Sequence, residues 1–300
     1  MADFSASTVD HELAMSAARQ VASVLRSAGF GRGGTVIATE SDASFWDELY
    51  EEMDEVKRVR LSWSDCTSDG LRILKEFAMR GATLVLHDLP GADVKPSLAE
   101  FERDVTDNGG RIVHIELAND EGRALHHAYL HALTFGFEDA TRAATAQWEF
   151  LAVDGDLCLS SPDGAHLYLG RLVDVLSDFT ALERCRAQIL QLPLGEIWGV
   201  VDDPAIGGTV DVLTPEGIRR RQIQQGRVVG LEALGLLVEV GLGTNDKSMP
   251  FFTALGEKAS GRVHLGFGDS TLIGGKTKYP THGDVLLSPG TRVGLCDHRI

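Results

Sequence analysis

Residues 81–117 read GATLVLHDLPGADVKPSLAEFERDVTDNGGRIVHIEL, and this stretch decides the fold. Its two ends, ATLVLHD and RIVHIEL, are short apolar runs that read as strands. Between them PSLAEFERDVTDNGG reads as a helix closed by its glycines. A strand joined to a strand through a helix implies a crossover connection. Crossovers in series imply a mostly parallel sheet. Upstream the same alternation holds. Residues 9–29 are an amphipathic helix, with Leu13, Ala17, Val21 and Leu25 four apart. GTVIATES, VKRVRLSW and the helical FWDELYEEMDE and SDGLRILKEFAMRG complete the series. Downstream, about 119–150 reads as one long helical stretch. No GxGxxG opens any of these helices, so no dinucleotide site is inferred.

The texture changes after about residue 155. DLCLSSPDGAHLYLGRL reads as a hairpin turning at Pro-Asp-Gly. Short β-like runs follow: GTVDVL, GRVVGLE, LLVEVGLG, GRVHLGFG and GDVLLSPGTRVGL. The expected fold class is α/β. An N-terminal parallel-sheet βα domain, 1–155, precedes a β-rich α+β domain, 156–300, that carries a metal site.

Composition narrows the partners. The formal net charge is −16, from 28 basic and 44 acidic residues. That excludes nucleic acid and an anionic membrane surface, which need basic protein. A peptide or small-molecule substrate fits, and so does a homodimer. Cys66, Cys158, Cys185 and Cys296 lie far apart with no Cys-x-x-Cys. Neither a disulfide framework nor a thiolate zinc site is expected, and a reducing cytosol fits. The first residues, MADFSASTVDHELAMSAARQ, lack a basic stretch followed by an apolar run, so no signal peptide is read. No apolar run reaches the ~18–20 residues of a membrane span, and the expected compartment is cytoplasmic.

The chemistry concentrates in the second region. LPLGEIWGV holds Glu196 beside a glycine. LLVEVGLGTND sets Glu239 in an apolar run before an expected Gly-Leu-Gly turn. A carboxylate among leucines and valines is costly to bury without a cation or hydrogen bond. GRVHLGFGDS places His264 in a strand-like run. In THGD, His282 and Asp284 are two apart, and on an extended backbone they point to one side. Imidazoles with carboxylates suit zinc, manganese, cobalt or ferrous iron. His127 and His131, four apart on a helix, are a weaker pair that reads as a solvated face. Asp202 and Asp203 read as turn residues, and Lys276 and Lys278 as exposed lysines that could meet a substrate carboxylate.

These segments carry a resemblance. LPLGEIW is similar to the LPxGEv motif of the thermophilic-type leucyl aminopeptidases (aminopeptidases T and S), and VEVGLGTN to their AELGIGTN. EKASGRVHLGFG resembles EKxxGTxHIAxG, and THGD resembles HxD. LSSPDGAHLYLGR resembles their SPxGTDLxFxxxGR segment, with Ala165-His166 replacing Thr-Asp, so the likeness runs over about 157–286. It implies that Glu196, Glu239, His264, His282 and Asp284 are ligands of a two-metal site, with Glu196 and Glu239 also needed for catalysis. Thr271 stands where the aminopeptidases have tyrosine, and the connection from His264 to His282 is shorter than theirs. Gly-Asp-Ser…Gly-Gly-Lys there looks more like the dihydroxypyridine-dioxygenase branch of the superfamily. That branch implies one ferrous iron on His264, His282 and Asp284.

Three functions follow. The intact glutamate motifs favour a metal-dependent hydrolase of the aminopeptidase type, using zinc, cobalt or manganese. The alternatives are a ferrous ring-cleaving dioxygenase and a non-catalytic descendant that binds a peptide or partner.

Overall fold

The computed structural model describes residues 4–30, 34–39, 44–53, 56–60, 68–88, 96–118, 122–151, 154–178, 189–203, 205–251, 254–271 and 273–296. Internal contacts divide the chain into two compact units. One is Met1–Asp139 with Thr180–Leu194, the other Ala140–Phe179 with Gly195–Ile300.

The first unit is built on the expected alternation. Strands β1 (Thr35–Thr39), β2 (Val56–Arg60), β3 (Thr83–Asp88) and β4 (Arg111–Glu116) alternate with helices α1 (Phe4–Ser27), α2 (Ser44–Glu52), α3 (Ser68–Ala78) and α4 (Pro96–Asp107). All strand pairs are parallel, in the order β2-β1-β3-β4. The helices meet the sheet through residues four apart. Leu74 and Ala78 of α3, and Phe101 and Val105 of α4, pack on Val36, Leu84, Leu86 and Ile112. The expected helical stretch 119–150 is two helices, α5 (Arg123–Leu133) and α6 (Phe137–Leu151), separated at Thr134 to Gly136.

Strands β5 (Leu157–Ser160), β6 (His166–Gly170) and β7 (Leu172–Ser177) belong to the second unit. The chain then returns. Strand β8 (Ile189–Leu192) pairs in parallel with β4, Ile112 facing Ile189. It makes the first sheet five-stranded. A single cut near residue 155 does not describe this arrangement, because the fifth strand is supplied from beyond the β5–β7 segment.

The second unit is antiparallel. Its remaining strands are β9 (Glu196–Val201), β10 (Gly207–Thr214), β11 (Gly217–Gln224), β12 (Arg227–Val228), β13 (Leu237–Gly243), β14 (Val263–Gly268), β15 (His282–Leu286) and β16 (Arg292–Leu295). A short helix, α7 (Ala254–Lys258), lies between β13 and β14. One sheet has the order β12-β11-β10-β6-β5-β16, the other β15-β14-β13-β9-β7. A shared core joins them, with Leu157, Leu159, Leu167 and Leu169 from the first sheet and Ile197, Val240, Leu265 and Phe267 from the second. The expected hairpin is β5–β6. Its turn closes with Ser161 N donating to Ala165 O, and Gly164 has φ 81°, which suits a residue without Cβ.

The cysteine expectation is overturned at one pair. Cys158 and Cys296 form a disulfide, their Cα atoms 5.3 Å apart. The pairing of β16 with β5, Gly294 opposite Cys158, brings together residues separated by 138 positions. Sequence spacing could not show it. Cys66 and Cys185 lie outside the described residues. No described helix is long and apolar enough to cross a membrane.

Candidate metal centre

All five ligands expected from the sequence sit on one face of the sheet β15-β14-β13-β9-β7, the face away from the shared core. In β14 the alternation is plain: Val263, Leu265 and Phe267 enter the core, so His264 and Gly266 face the other way. In β9 Ile197 and Val201 enter the core, leaving Glu196 on the ligand face. In β15 His282 and Asp284 share that face, as their spacing predicts.

Strand β13 needs a device. Leu237 and Val240 both enter the core although they are three apart. The register shifts between Leu237 and Glu239, where β13 advances two residues against one step from Phe267 to Gly266. This β-bulge turns Glu239 out of the core and onto the ligand face. The Gly-Leu-Gly segment expected as a turn is strand, since β13 runs through Gly243. Its glycines stand opposite two of the candidate ligands: Gly241 faces His264 and Gly243 faces Glu196. A Cβ on Gly241 would fall on the His264 ring. One on Gly266 would come 2.8 Å from Glu239 Cβ and 3.0 Å from Asp284 Oδ1.

The side chains form two trios that share Glu239. Glu196, Glu239 and His264 make one, and Glu239, His282 and Asp284 the other, with ligand atoms in each within 4.8 Å of one another. His264 Nε2 is 2.7 Å from Glu196 Oε1 and 3.5 Å from Glu239 Oε1. His282 Nε2 is 3.3 Å from both Glu239 Oε2 and Asp284 Oδ1. The two oxygens of Glu239 thus face different trios. His264 groups with the two glutamates and His282 with Asp284, and the two trios meet at Glu239. His282 is aimed by its other nitrogen, Nδ1, which donates to Asp269 O at 2.6 Å.

The trios differ in openness. The inner one is closed: His264 is 1% and Glu239 4% exposed, and Glu196 12%. In the outer one His282 and Asp284 are 25% and 24% exposed.

The cluster fits a cation. Burial opposes the charge on His282, but Asp284 and Glu239 override it and its pKa is pushed up to about 11. Burial likewise opposes the charge on His264, and Glu196 chiefly raises it well above the usual imidazole range. The carboxylates therefore stabilise positive charge at both imidazoles. Glu239 Oε2 is buried with only the 3.3 Å ion-pair contact to His282 Nε2, and His264 Nδ1 is buried without a hydrogen-bond partner among the described residues. Such atoms are costly unless an ion or water meets them. With two imidazoles and three carboxylates, the donors suit a first-row divalent ion.

Three contributors went unread in the sequence. Lys258, 5% exposed at its side chain, donates to Glu196 Oε2 at 2.6 Å. Asp178 Oδ1 lies 3.4 Å from the same ammonium. Burial and the charge of Asp284 push the Glu257 carboxyl up to about 8. Glu257 and Lys258 open the EKASGRVHLGFG segment and were legible there, whereas Asp178 has no local signal. The weaker expectations resolve as surface features. His127 and His131 stack with ring centroids 6.5 Å apart but join no three-residue group among the described residues. Asp203 accepts from Ala205 N in a turn. Lys276 and Lys278 are exposed in the connection from β14 to β15.

No family model matches the chain, and no curated protein matches it. A solved structure does, that of 2,5-dihydroxypyridine dioxygenase from Pseudomonas putida KT2440. This chain shares its fold. The match has a TM-score of 0.64 and covers 94% of each chain at 15% sequence identity. The fold class is thus α/β with a parallel sheet and antiparallel sheets, over nearly the whole length. A fold likeness at that identity carries no substrate or metal with it.

Proposed function

We propose that this protein is a metal-dependent ring-cleaving dioxygenase that opens a small, electron-rich aromatic ring, such as a dihydroxypyridine, with ferrous iron. The observation that carries this reading is the asymmetry of the two trios. Both oxygens of Glu196 are engaged, Oε1 by His264 and Oε2 by Lys258. Glu239, His282 and Asp284 instead form a set with partly exposed members, as a site that admits a substrate requires. The shared fold with a dihydroxypyridine dioxygenase supports the same reading. A ferrous ion held there supplies the redox centre that lets dioxygen react with the ring.

The protein's own residues do the rest. Asp269 O holds the His282 ring so that Nε2 faces the carboxylates. Glu239, fixed by the bulge, orients one oxygen outward. Trp198 Nε1 donates to Ile273 O at 3.2 Å and braces the connection from β14 to β15 near the site.

A second reading, the metallohydrolase favoured by the sequence, draws support from Glu239 itself. One oxygen in each trio is an arrangement that can bridge two ions. Metal content and reaction separate the two. Protein loaded anaerobically with ferrous iron should bind one ion and consume dioxygen in step with loss of 2,5-dihydroxypyridine absorbance. Two bound zinc, cobalt or manganese ions with hydrolysis of a dipeptide or amino-acid amide would replace this reading with the second.

A further inference from the structure

Behind the inner trio lies a line of charges that no ligand role accounts for. Asp178 follows directly on the edge strand β7 and is 7% exposed. Its Oδ2 accepts the backbone N–H groups of Gly195 and Glu196, at 2.8 and 2.9 Å, where β9 begins. Its Oδ1 faces Lys258 Nζ at 3.4 Å. Lys258, the last residue of α7, donates to Glu196 Oε2 at 2.6 Å. Glu196 Oε1 then meets His264 Nε2, which neighbours Glu239 Oε1. Four elements thus place one acid, one ammonium, a second acid and an imidazole in sequence, ending on the carboxylate shared by both trios.

Burying charges is costly unless each is paired and hydrogen-bonded, and an apolar set of the same volume would often stabilise the fold as well. The arrangement therefore points to a directional role. Glu196 and Glu239 both face His264 and repel each other. Without a cation behind it, Glu196 would gain by swinging away from Glu239. Lys258 counters that repulsion from the far side, and Asp178 fixes both the ammonium and the backbone of Glu196.

We propose that Asp178 and Lys258 are positioning residues of the metal centre, a buried brace that sets the orientation of Glu196 and, through His264, of the shared ligand Glu239. The brace rests on the reading of this site as a metal centre, and it holds for either one ion or two. Lys258 is an ammonium and Asp178 joins neither three-residue group among the described residues, so both stand behind the ligands rather than among them. Partners that orient ligands in this way alter metal affinity about 10–100-fold when removed.

The experiment uses the full chain and Co2+, whose visible absorption reports its coordination. Lys258→Met keeps the stem and removes the charge. Asp178→Asn keeps the shape and one acceptor. Both should weaken Co2+ binding about 10–100-fold by equilibrium dialysis and change the cobalt spectrum of the saturated protein, while circular dichroism stays that of the wild type. Because Lys258 acts through Glu196, adding Lys258→Met to Glu196→Gln should cost little further affinity. If Lys258→Met does not fold, the Asp178→Asn result decides. Wild-type affinity and spectrum in the folded variants, or losses that add fully in the double variant, overturn the brace alone. A wild type that binds no Co2+ overturns the metal centre together with it.

Discussion

At the scale of single residues, the site depends on side chains that are missing as much as on those present. Gly266 lies between Glu239 and Asp284 across the strands, facing Asp284 in register and Glu239 on its other side. The methyl of Gly266→Ala would sit 2.8 Å from Glu239 Cβ and 2.9 Å from its Oε2. Overpacking of that kind costs about 1–3 kcal/mol, and here it falls on two of the proposed ligands. Gly266→Ala should therefore bind Co2+ or Fe2+ at least about tenfold more weakly, measured by dialysis, with a folded circular dichroism spectrum. Unchanged affinity would show that neither carboxylate is a ligand. The sequence displayed His282 and Asp284 clearly, because a spacing of two puts side chains on one side of any strand. It could not display the side taken by Glu239. That side depends on the bulge after Leu237, and a bulge is a property of the pairing with β14.

At the scale of elements, the edges of the sheets hold what local pattern left unread. Strand β11, GIRRRQIQ, is exposed at most positions and exists through its pairing with β10 along its whole length. Strand β16 is an edge of the same sheet, at the end away from β12 and β11, short and half-exposed, and the disulfide ties its end to β5. A crosslink between distant residues stabilises mainly by restricting the unfolded chain, typically by ~2–4 kcal/mol. Reductant, or Cys158→Ser, should lower the melting temperature and free β16. Thiol titration of the unreduced, denatured protein checks the bond itself: four titratable thiols would rule the Cys158–Cys296 pair out.

At the scale of the whole molecule, the order of the chain and the order of the fold part company. The first sheet receives its last strand, β8, after the chain has already made β5, β6 and β7. A fragment ending at residue 155 would leave β4, buried at Ile112, Val113 and Ile115, as an open edge. Such edges pair with other chains. The fragment should elute as aggregates on size exclusion and melt without a cooperative transition. A monomeric, cooperatively folding 1–155 would show that β8 is dispensable and that the first sheet is complete without it.

The alternation of strands and helices, the change to short strands near 155 and the five side chains that the fold gathers on one sheet face were legible in the sequence itself. Each rests on a local cause: the period of apolar residues, turn residues, or a spacing of two on an extended strand. Tertiary structure decided the rest. The pairing of β8 with β4, the Cys158–Cys296 bond, the bulge under Glu239 and the Asp178–Lys258 brace all join residues far apart in the chain. A local window holds only one partner of each. The grouping of ligands into two trios belongs to the same class, because strand register, not residue type, sets which imidazole stands beside which carboxylate.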